Sequence, residues 1–285
     1  MSEPPGLSGH LRLVFSATPG RGTFLAQQSA CAPMHLGKTY WDGETLLVNV
    51  VNQTAGIFGG DRIVTNVVAG PGTRVLLSSP SAARLHPSRD REARLEQAYE
   101  VRAGARLDVF PELTIPQRGS RCFQQTRIEI ERGGECLYLE TLAPGRVASG
   151  EVFAFESYAW QTDVLLDGQL ILRERADIRP GERGTTALRA LFPASYHASL
   201  LVISPDAEQW DDKFRHGAAS LSNDTAFVAA SRLSTGGWTL RILAADSVAL
   251  RRAIHALRGM VYARLGTSAP DPRRTGGVFT AASHR

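Results

Sequence analysis

Residues 52–62 read Asn-Gln-Thr-Ala-Gly-Ile-Phe-Gly-Gly-Asp-Arg and place one carboxylate in a glycine-rich turn. Three glycines within five positions predict a backbone that takes positive φ or approaches another backbone closely. Asp61 then precedes the alternating apolar run 63–68, which is typical of a strand. A carboxylate held in such a turn can act as an anion, a cap or a metal ligand. The simplest alternative is an aspartate that bonds the backbone of its own turn.

Two further acids stand in otherwise apolar, strand-like segments. Glu140 lies within the run 136–142, and Glu174 ends the run 169–174. A buried acid must be paired, hydrogen-bonded or hydrated. The simplest partners are arginines: Arg146 for Glu140, and Arg173, Arg175 or a cross-strand residue for Glu174.

The sequence carries no recognisable catalytic constellation. It has no Gly-x-Ser-x-Gly elbow, no Walker A loop and no His-Glu-x-x-His, and its seven histidines are isolated from one another. The cysteines, Cys31, Cys122 and Cys136, are few and widely spaced, which predicts buried free thiols rather than a disulfide framework or a structural zinc site. We therefore predict a protein that is not an enzyme.

Composition and charge restrict the class of protein further. The net charge is +4, and nearly all of the positive charge is arginine, since Lys38 and Lys213 are the only lysines. The arginines are interleaved with acids, as in residues 89–94, so a nucleic-acid-binding face is not expected. No run is long and apolar enough for a transmembrane helix, and the first residues do not resemble a signal peptide. These observations favour a cytoplasmic protein.

The first two-thirds of the chain read as short strands separated by turns. Asp167-Gly168 between two apolar runs predicts a hairpin. The other turns contain glycine: Gly70-Pro71-Gly72, Ala103-Gly104-Ala105 and Arg132-Gly133-Gly134. Many strands with such turns predict a sandwich, a barrel or a β-solenoid. No sequence repeat of fixed period is evident.

The last third predicts two helices with strands between them. Asp206 is a candidate N-cap for a helix that runs to about Ser220, and Asp246 caps a second helix. The second helix has one apolar stripe and a natural stop at Gly266. The stripe consists of Leu250, Ile254, Leu257, Val261 and Leu265. Residues 266–285 are small, polar and basic, which predicts a flexible tail.

Three ordered blocks of this sequence resemble the UreD family of urease accessory proteins, also called UreH. Residues 52–61 resemble its "N-x-x-G-G-x-x-G-G-D" segment, residues 69–84 its "x-G-P-G-x-x-x-L-L-T-T-x-x-A-T-K", and residues 144–153 its "L-G-R-P-A-S-G-E-x-F". The resemblance implies a mainly β fold, with a layered β-helix or sandwich-like body and two α-helices near the C-terminal end. It also implies that residues 1–265 form a single UreD-like domain.

The same resemblance implies a function. A UreD protein is a urease maturation factor, a nickel-insertion chaperone or scaffold that binds UreF-like and UreG-like partners and the urease apoprotein. Asp61, Glu140 and Glu174 match acids that line an internal polar passage thought to carry nickel. Carboxylates would suit transient passage of Ni²⁺, with no tightly bound cofactor. The alternative is a β-rich protein-binding module that kept the fold but lost the nickel role.

The chain departs from the family pattern at several positions, so it is expected to be a divergent member. The family has Pro-Gln-[Asp/Glu] where this chain has Pro111-Glu112-Leu113, which displaces the acid by one residue. Arg84 replaces a lysine, Leu139 replaces a tryptophan before Glu140, and the C-terminal "P-R-I-W" is missing. These departures bear on partner choice more than on the fold.

Overall fold

The computed structural model describes residues 6–88, 90–182, 185–189 and 191–271. Within them the chain is mostly β. The strands are β1 Ser8–Thr18, β2 Gly22–Cys31, β3 Met34–Leu36, β4 Tyr40–Asp42, β5 Thr45–Asn52, β6 Arg62–Ala69, β7 Arg74–Ser78, β8 Ala83–Leu85, β9 Ala93–Val101, β10 Arg106–Phe110, β11 Thr114–Pro116, β12 Arg121–Ile130, β13 Glu135–Leu142, β14 Ser157–Leu166, β15 Gln169–Ile178, β16 Tyr196–Ile203, β17 Ala226–Arg232 and β18 Gly237–Ala244. The helices are α1 Thr186–Arg189, α2 Pro205–Glu208, α3 Asp212–Ala219 and α4 Ser247–Arg264, with a 3₁₀ turn at Val147–Ser149.

The strands form two sheets, and the chain alternates between them as it coils. The first sheet has the order β15-β14-β12-β9-β6-β1-β2. The second has the order β17-β18-β16-β13-β10-β7-β5-β3, with β4, β8 and β11 attached to it. Strands β6, β9, β12 and β14 are parallel in the first sheet, as are β5, β7, β10 and β13 in the second, because each coil of the chain contributes one strand to each. This stacking confirms the predicted mainly β, layered β-helix-like body.

The corners of successive coils stack directly on one another. Arg102 N donates to Ala69 O (3.0 Å), and Glu131 N donates to Val101 O (2.8 Å). Each corner has a glycine with positive φ at the same place: Gly72 (71°), Gly104 (70°) and Gly133 (84°). The coils differ in length, so this structural repeat has no fixed period in the sequence. Asp167 and Gly168 both take positive φ and form the predicted hairpin between β14 and β15.

Helices α2, α3 and α4 cover the outer face of the second sheet. The predicted first helix is divided into α2 and α3, and its N-cap is Ser204, whose Oγ accepts from Asp206 N, rather than Asp206. The predicted cap of the last helix is confirmed, since the Asp246 carboxylate accepts from the backbone N of Val248 and Ala249. No helix in the described part of the chain is both long and apolar enough to cross a membrane.

Residues 267–271 run from α4 across this outer face. Thr267 Oγ1 accepts from Arg106 Nη1 (3.1 Å), and Pro270 O accepts from Arg258 Nη2 (2.7 Å). Asp271 N donates to the Asp42 carboxylate (2.7 Å). We call residues 267–271 the strap. The predicted division into a domain at 1–265 and a flexible tail at 266–285 stays a prediction, and 272–285 lie outside the described residues.

Candidate functional site

One inward-facing position on each of five neighbouring strands of the first sheet is polar. Direct register pairs join these positions from β6 to β15. The positions are Thr65, Gln97, Thr126, Thr162 and Glu174, which we call the polar row. The row therefore runs across the sheet, perpendicular to the strands.

The polar row separates two apolar clusters that both lie between the sheets. Core 1 includes Leu13, Val67, Tyr99, Ile128, Val164 and Leu201. Core 2 includes Ile63, Leu95, Phe155, Trp160, Leu142 and Ile178. Along β6, for example, Ile63 belongs to core 2 and Val67 to core 1, so the inward position between them, Thr65, belongs to the row. Strand alternation thus places a polar layer through the middle of the interior.

Glu140 faces the row from the second sheet. It accepts from Gln124 Nε2 at 2.7 Å, and its Oε1 lies 3.0 Å from the Tyr138 hydroxyl. The Thr162 hydroxyl is 3.4 Å from both carboxylate oxygens. Arg146 is not its partner, because Arg146 forms an ion pair with Glu151. Hydrogen bonds from neutral groups therefore hold the Glu140 carboxylate in place of the arginine expected from the sequence.

The ionisation of Glu140 is balanced near neutral pH. Burial raises the pKa of this carboxyl to about 7, and the negative charge of Glu174 adds to the rise. Hydrogen bonds from Tyr138, Thr162 and Gln124 oppose it by stabilising the carboxylate. Both forms of Glu140 are therefore populated at physiological pH.

Glu174 occupies the outer end of the polar row on β15. Its Oε2 lies 3.1 Å from Arg241 Nη2 on β18, so the ion pair joins the two sheets. Arg241 belongs to the same cross-strand set as Glu140, because Ser199 pairs in register with both. Nearby His197 is half-buried, and desolvation together with the Arg241 charge lowers its pKa to about 4. The structure thus brings two of the three predicted acids, Glu140 and Glu174, to one polar layer.

A cavity of about 180 Å³ occupies the opposite part of the layer. Thr65, Gln97, Gln124 and Glu140 are among its lining residues. Its volume is large enough for several water molecules. Glu112, the acid displaced relative to the family pattern, also lines this cavity. Burial raises the pKa of Glu112, while the charge of Arg251 lowers it.

Asp61 lies outside the polar row. Its two carboxylate oxygens accept from Leu7 N (2.8 Å) and Phe58 N (2.9 Å). Gly60 takes a φ of 85°, and a Cβ on Gly59 would lie 2.7 Å from the backbone oxygen of Arg91, so the two glycines are required by the turn. The carboxylate is buried and bonds the backbone, as the simplest sequence interpretation expects. A nickel role for Asp61 stays a prediction.

Other predicted ligands are dispersed. Among the described residues, no group of three or more His, Cys, Asp or Glu side chains is close enough to hold a metal ion. Cys122 and Cys136 are buried free thiols, as predicted, whereas Cys31 is exposed.

The neutral members of the polar layer were not identified from the sequence. A signal was nevertheless present, because Thr65, Gln97 and Thr126 each precede the corner glycine of their coil by the same number of residues. Arg241 carried no comparable signal, since its contact with Glu174 joins distant strands of different sheets.

The fold and the polar layer define a β-solenoid with two sheets and partly buried acids between them. Residues 7–275 match the family described as "UreD urease accessory protein", so the chain belongs to that family. It is 37% identical over 271 residues to the urease accessory protein UreD of Opitutus terrae, covering 94% of this chain and 98% of that protein. The corresponding protein of Deinococcus radiodurans is 36% identical over 267 residues, covering 92% and 93%. This membership supports a role in urease maturation.

Proposed function

We propose that this protein is a non-enzymatic urease maturation factor that passes Ni²⁺ along its polar layer toward apo-urease. One observation carries the proposal. The Glu140 carboxylate lies between two apolar cores, where neutral side chains donate hydrogen bonds to it. It also lines a cavity, and it lies near enough to a second acid, Glu174, to feel its charge. An ion moving between the sheets at this level meets oxygen atoms, whereas the clusters on either side are predominantly apolar.

The chemistry of the layer suits passage better than storage. Carboxylate, hydroxyl and amide oxygens bind Ni²⁺ weakly compared with thiolate and imidazole sets. Conduction requires sites that an ion can enter and leave. A ligand carboxylate must be deprotonated, so an ion arriving at Glu140 would release the proton that this group holds part of the time near pH 7.

Partners complete the proposed role. We propose that the protein binds a UreF-like helical protein, through it the UreG-like GTP-hydrolysing nickel carrier, and the urease apoprotein. The sequence has no phosphate-binding loop, so GTP hydrolysis is assigned to the partner. Large apolar side chains are exposed at several of the described positions, and we propose that the partners cover some of them. The exposed side chains are Leu7, Trp41, Phe58, Val147, Leu170, Leu191, Phe227 and Val248. A cytoplasmic location, without nucleic-acid or membrane partners, is part of the same proposal.

The test replaces each acid of the layer by its neutral isostere. Glu140→Gln and Glu174→Gln should lower the nickel content of co-expressed urease while the accessory complex still assembles. Glu129→Gln is the matched control, because Glu129 pairs with exposed Arg127 on the outer side of β12. Urease nickel is measured by elemental analysis, and the complex by gel filtration. Normal nickel content in both acid variants, with the complex intact, would contradict the path.

The same experiment separates two further hypotheses. If the protein kept only a binding role, both acid variants should leave urease nickel unchanged, and loss of the complex alone should abolish maturation. Asp61→Asn tests the remaining predicted ligand, since asparagine keeps the size of the side chain and removes its charge. Lower urease nickel with an unchanged unfolding midpoint would support a nickel role for Asp61, and an unchanged nickel content would leave it a turn residue.

A further inference from the structure

Arg241 stands where the polar row reaches the edge of the first sheet. Glu174 lies on β15, the outermost strand of that sheet, and Arg241 lies on β18, one strand from the edge of the second. Their 3.1 Å ion pair therefore spans the gap between the sheets at the end of the row. An ion that moved along the row to this end would meet the guanidinium group.

The two partners differ in their access to water. The Arg241 side chain is 46% exposed, whereas that of Glu174 is 13% exposed. Glu174 is also held in the interior by its strand, with Thr162 as its register partner. The arginine can therefore swing into solvent, while the carboxylate stays in the layer.

The charges at this end favour replacement of the guanidinium by another cation. Thr162 joins the two acids, because its hydroxyl lies 3.4 Å from both Glu140 carboxylate oxygens and it pairs in register with Glu174. Arg241 supplies one positive charge against them. With both acids ionised, their combined charge matches that of a divalent cation once the guanidinium has left. While Arg241 is in place, it repels an approaching cation and occupies one of the Glu174 oxygens that the cation needs.

We infer that Arg241 is a gate for the polar row: its guanidinium closes the Glu174 end and is displaced into solvent when a divalent cation occupies the two acids. The inference rests on the proposed function and adds its regulation. Arg241 acts through Glu174, so it is a positioning residue and not a ligand. The effect of Arg241 on Ni²⁺ affinity can be separated from the effect of the two acids by the variants described next.

The test measures binding of Ni²⁺ alone to the purified protein, or to its complex with the UreF-like partner, by isothermal titration calorimetry. Arg241→Gln should tighten Ni²⁺ binding roughly tenfold, the size of a typical coupling between two interacting groups. The double variant Arg241→Gln/Glu174→Gln should lose that gain. Arg175→Gln is the control, because Arg175 lies next to Glu174 on the same strand but bonds Gln161 on the exposed side. Unchanged Ni²⁺ affinity in Arg241→Gln would overturn the gate.

A second variant covers the case in which Arg241→Gln does not fold. Arg241→Lys keeps the charge but lacks the planar fork of the guanidinium, so it should raise the affinity for Ni²⁺ by a smaller factor. Equal affinities in wild type and Arg241→Lys, with equal melting temperatures, would count against a gate. If the acid variants lower urease nickel but Arg241→Gln leaves Ni²⁺ affinity unchanged, the path stands and the gate is wrong. If the acid variants leave urease nickel normal, the proposed function itself fails.

Discussion

The proposed function places two opposing requirements on Glu140. A ligand for a cation must be ionised, whereas a group between apolar cores is more stable when neutral. The hydrogen bonds from Gln124, Tyr138 and Thr162 lower the free-energy cost of ionising Glu140 but do not remove it, since its pKa remains at about 7. Natural selection for stability alone would favour a neutral side chain at this position.

The free energy of unfolding should depend on pH because burial disfavours the ionised form of Glu140. The folded-state pKa of Glu140 lies above the ordinary value of 4.5, so its stabilising contribution is complete below about pH 4.5 and is lost as pH rises through 7. Glu140→Gln should therefore match wild type at about pH 4 and exceed it at about pH 8, by up to about 3 kcal/mol. Urea unfolding at both pH values measures the difference. An equal difference at both would show that Glu140 titrates normally.

At the residue scale, the sequence revealed the acids but not their surroundings. Glu140 and Glu174 stood out because charged groups are unusual in apolar strands. Thr65, Gln97, Thr126 and Thr162 did not, because threonine and glutamine are ordinary strand residues and their alignment depends on coil register. The Glu174–Arg241 pair depends on how the sheets face each other, which local patterns do not encode.

At the scale of the secondary-structure elements, the sequence correctly predicts the features that depend only on residues close together in the chain. Strand alternation, the Asp167-Gly168 hairpin and the Asp246 cap all predict features that the structure has. The single helix predicted after Pro205 is interrupted between α2 and α3. At this point Trp210 packs against Phe214, with ring centroids 4.3 Å apart. Tertiary packing of these aromatic rings against the second sheet outweighs helix propensity there.

Helix α4 is fixed to the sheet by a buried ionic cluster. Arg106 Nε donates to Asp108 Oδ1 (3.3 Å), the Tyr262 hydroxyl bonds Asp108 Oδ2, and the guanidinium groups of Arg106 and Arg258 lie over the Tyr262 ring. Asp108 is almost fully buried and accepts bonds from both Arg106 and Tyr262. Loss of this carboxylate would leave a buried positive charge poorly compensated.

Asp108→Ala should therefore destabilise the protein by about 3–5 kcal/mol, the usual effect of breaking a buried ion pair. Thermal unfolding followed by circular dichroism measures the change. Asp212→Ala is the control, because Asp212 forms an exposed pair with Arg215 and should change stability little. Comparable melting temperatures for the two variants would show that the cluster contributes no more than a surface pair.

On the scale of the whole molecule, the strap links the C-terminal helix to β4 at the far side of the second sheet. Its composition resembles that of a tail, because small and polar residues carry no periodic signal. Its contacts come instead from backbone and hydroxyl groups that accept hydrogen bonds from Arg106 and Arg258, as well as from the burial of Pro270. Composition alone could not predict such contacts.

Two truncations test the strap. A chain that ends after Gly266 loses the acceptors for Arg106 and Arg258, whereas a chain that ends after Asp271 keeps them. The shorter chain should be less stable than the longer by about 1–3 kcal/mol for each buried donor left unsatisfied. Chemical denaturation gives both values. Identical midpoints for the two truncations would show that residues 267–271 add nothing to stability.

The polar row contains one side chain from each strand that it crosses, so its length depends on the number of coils. Neighbouring strands lie about 4.8 Å apart, which makes the distance from Thr65 to Glu174 roughly 19 Å. A coil inserted between β9 and β12 would lengthen the row by one strand and leave both ends chemically unchanged. The number of coils would therefore set the length of the proposed cation path, and a homologue could change that length by duplicating or deleting a coil without altering either end.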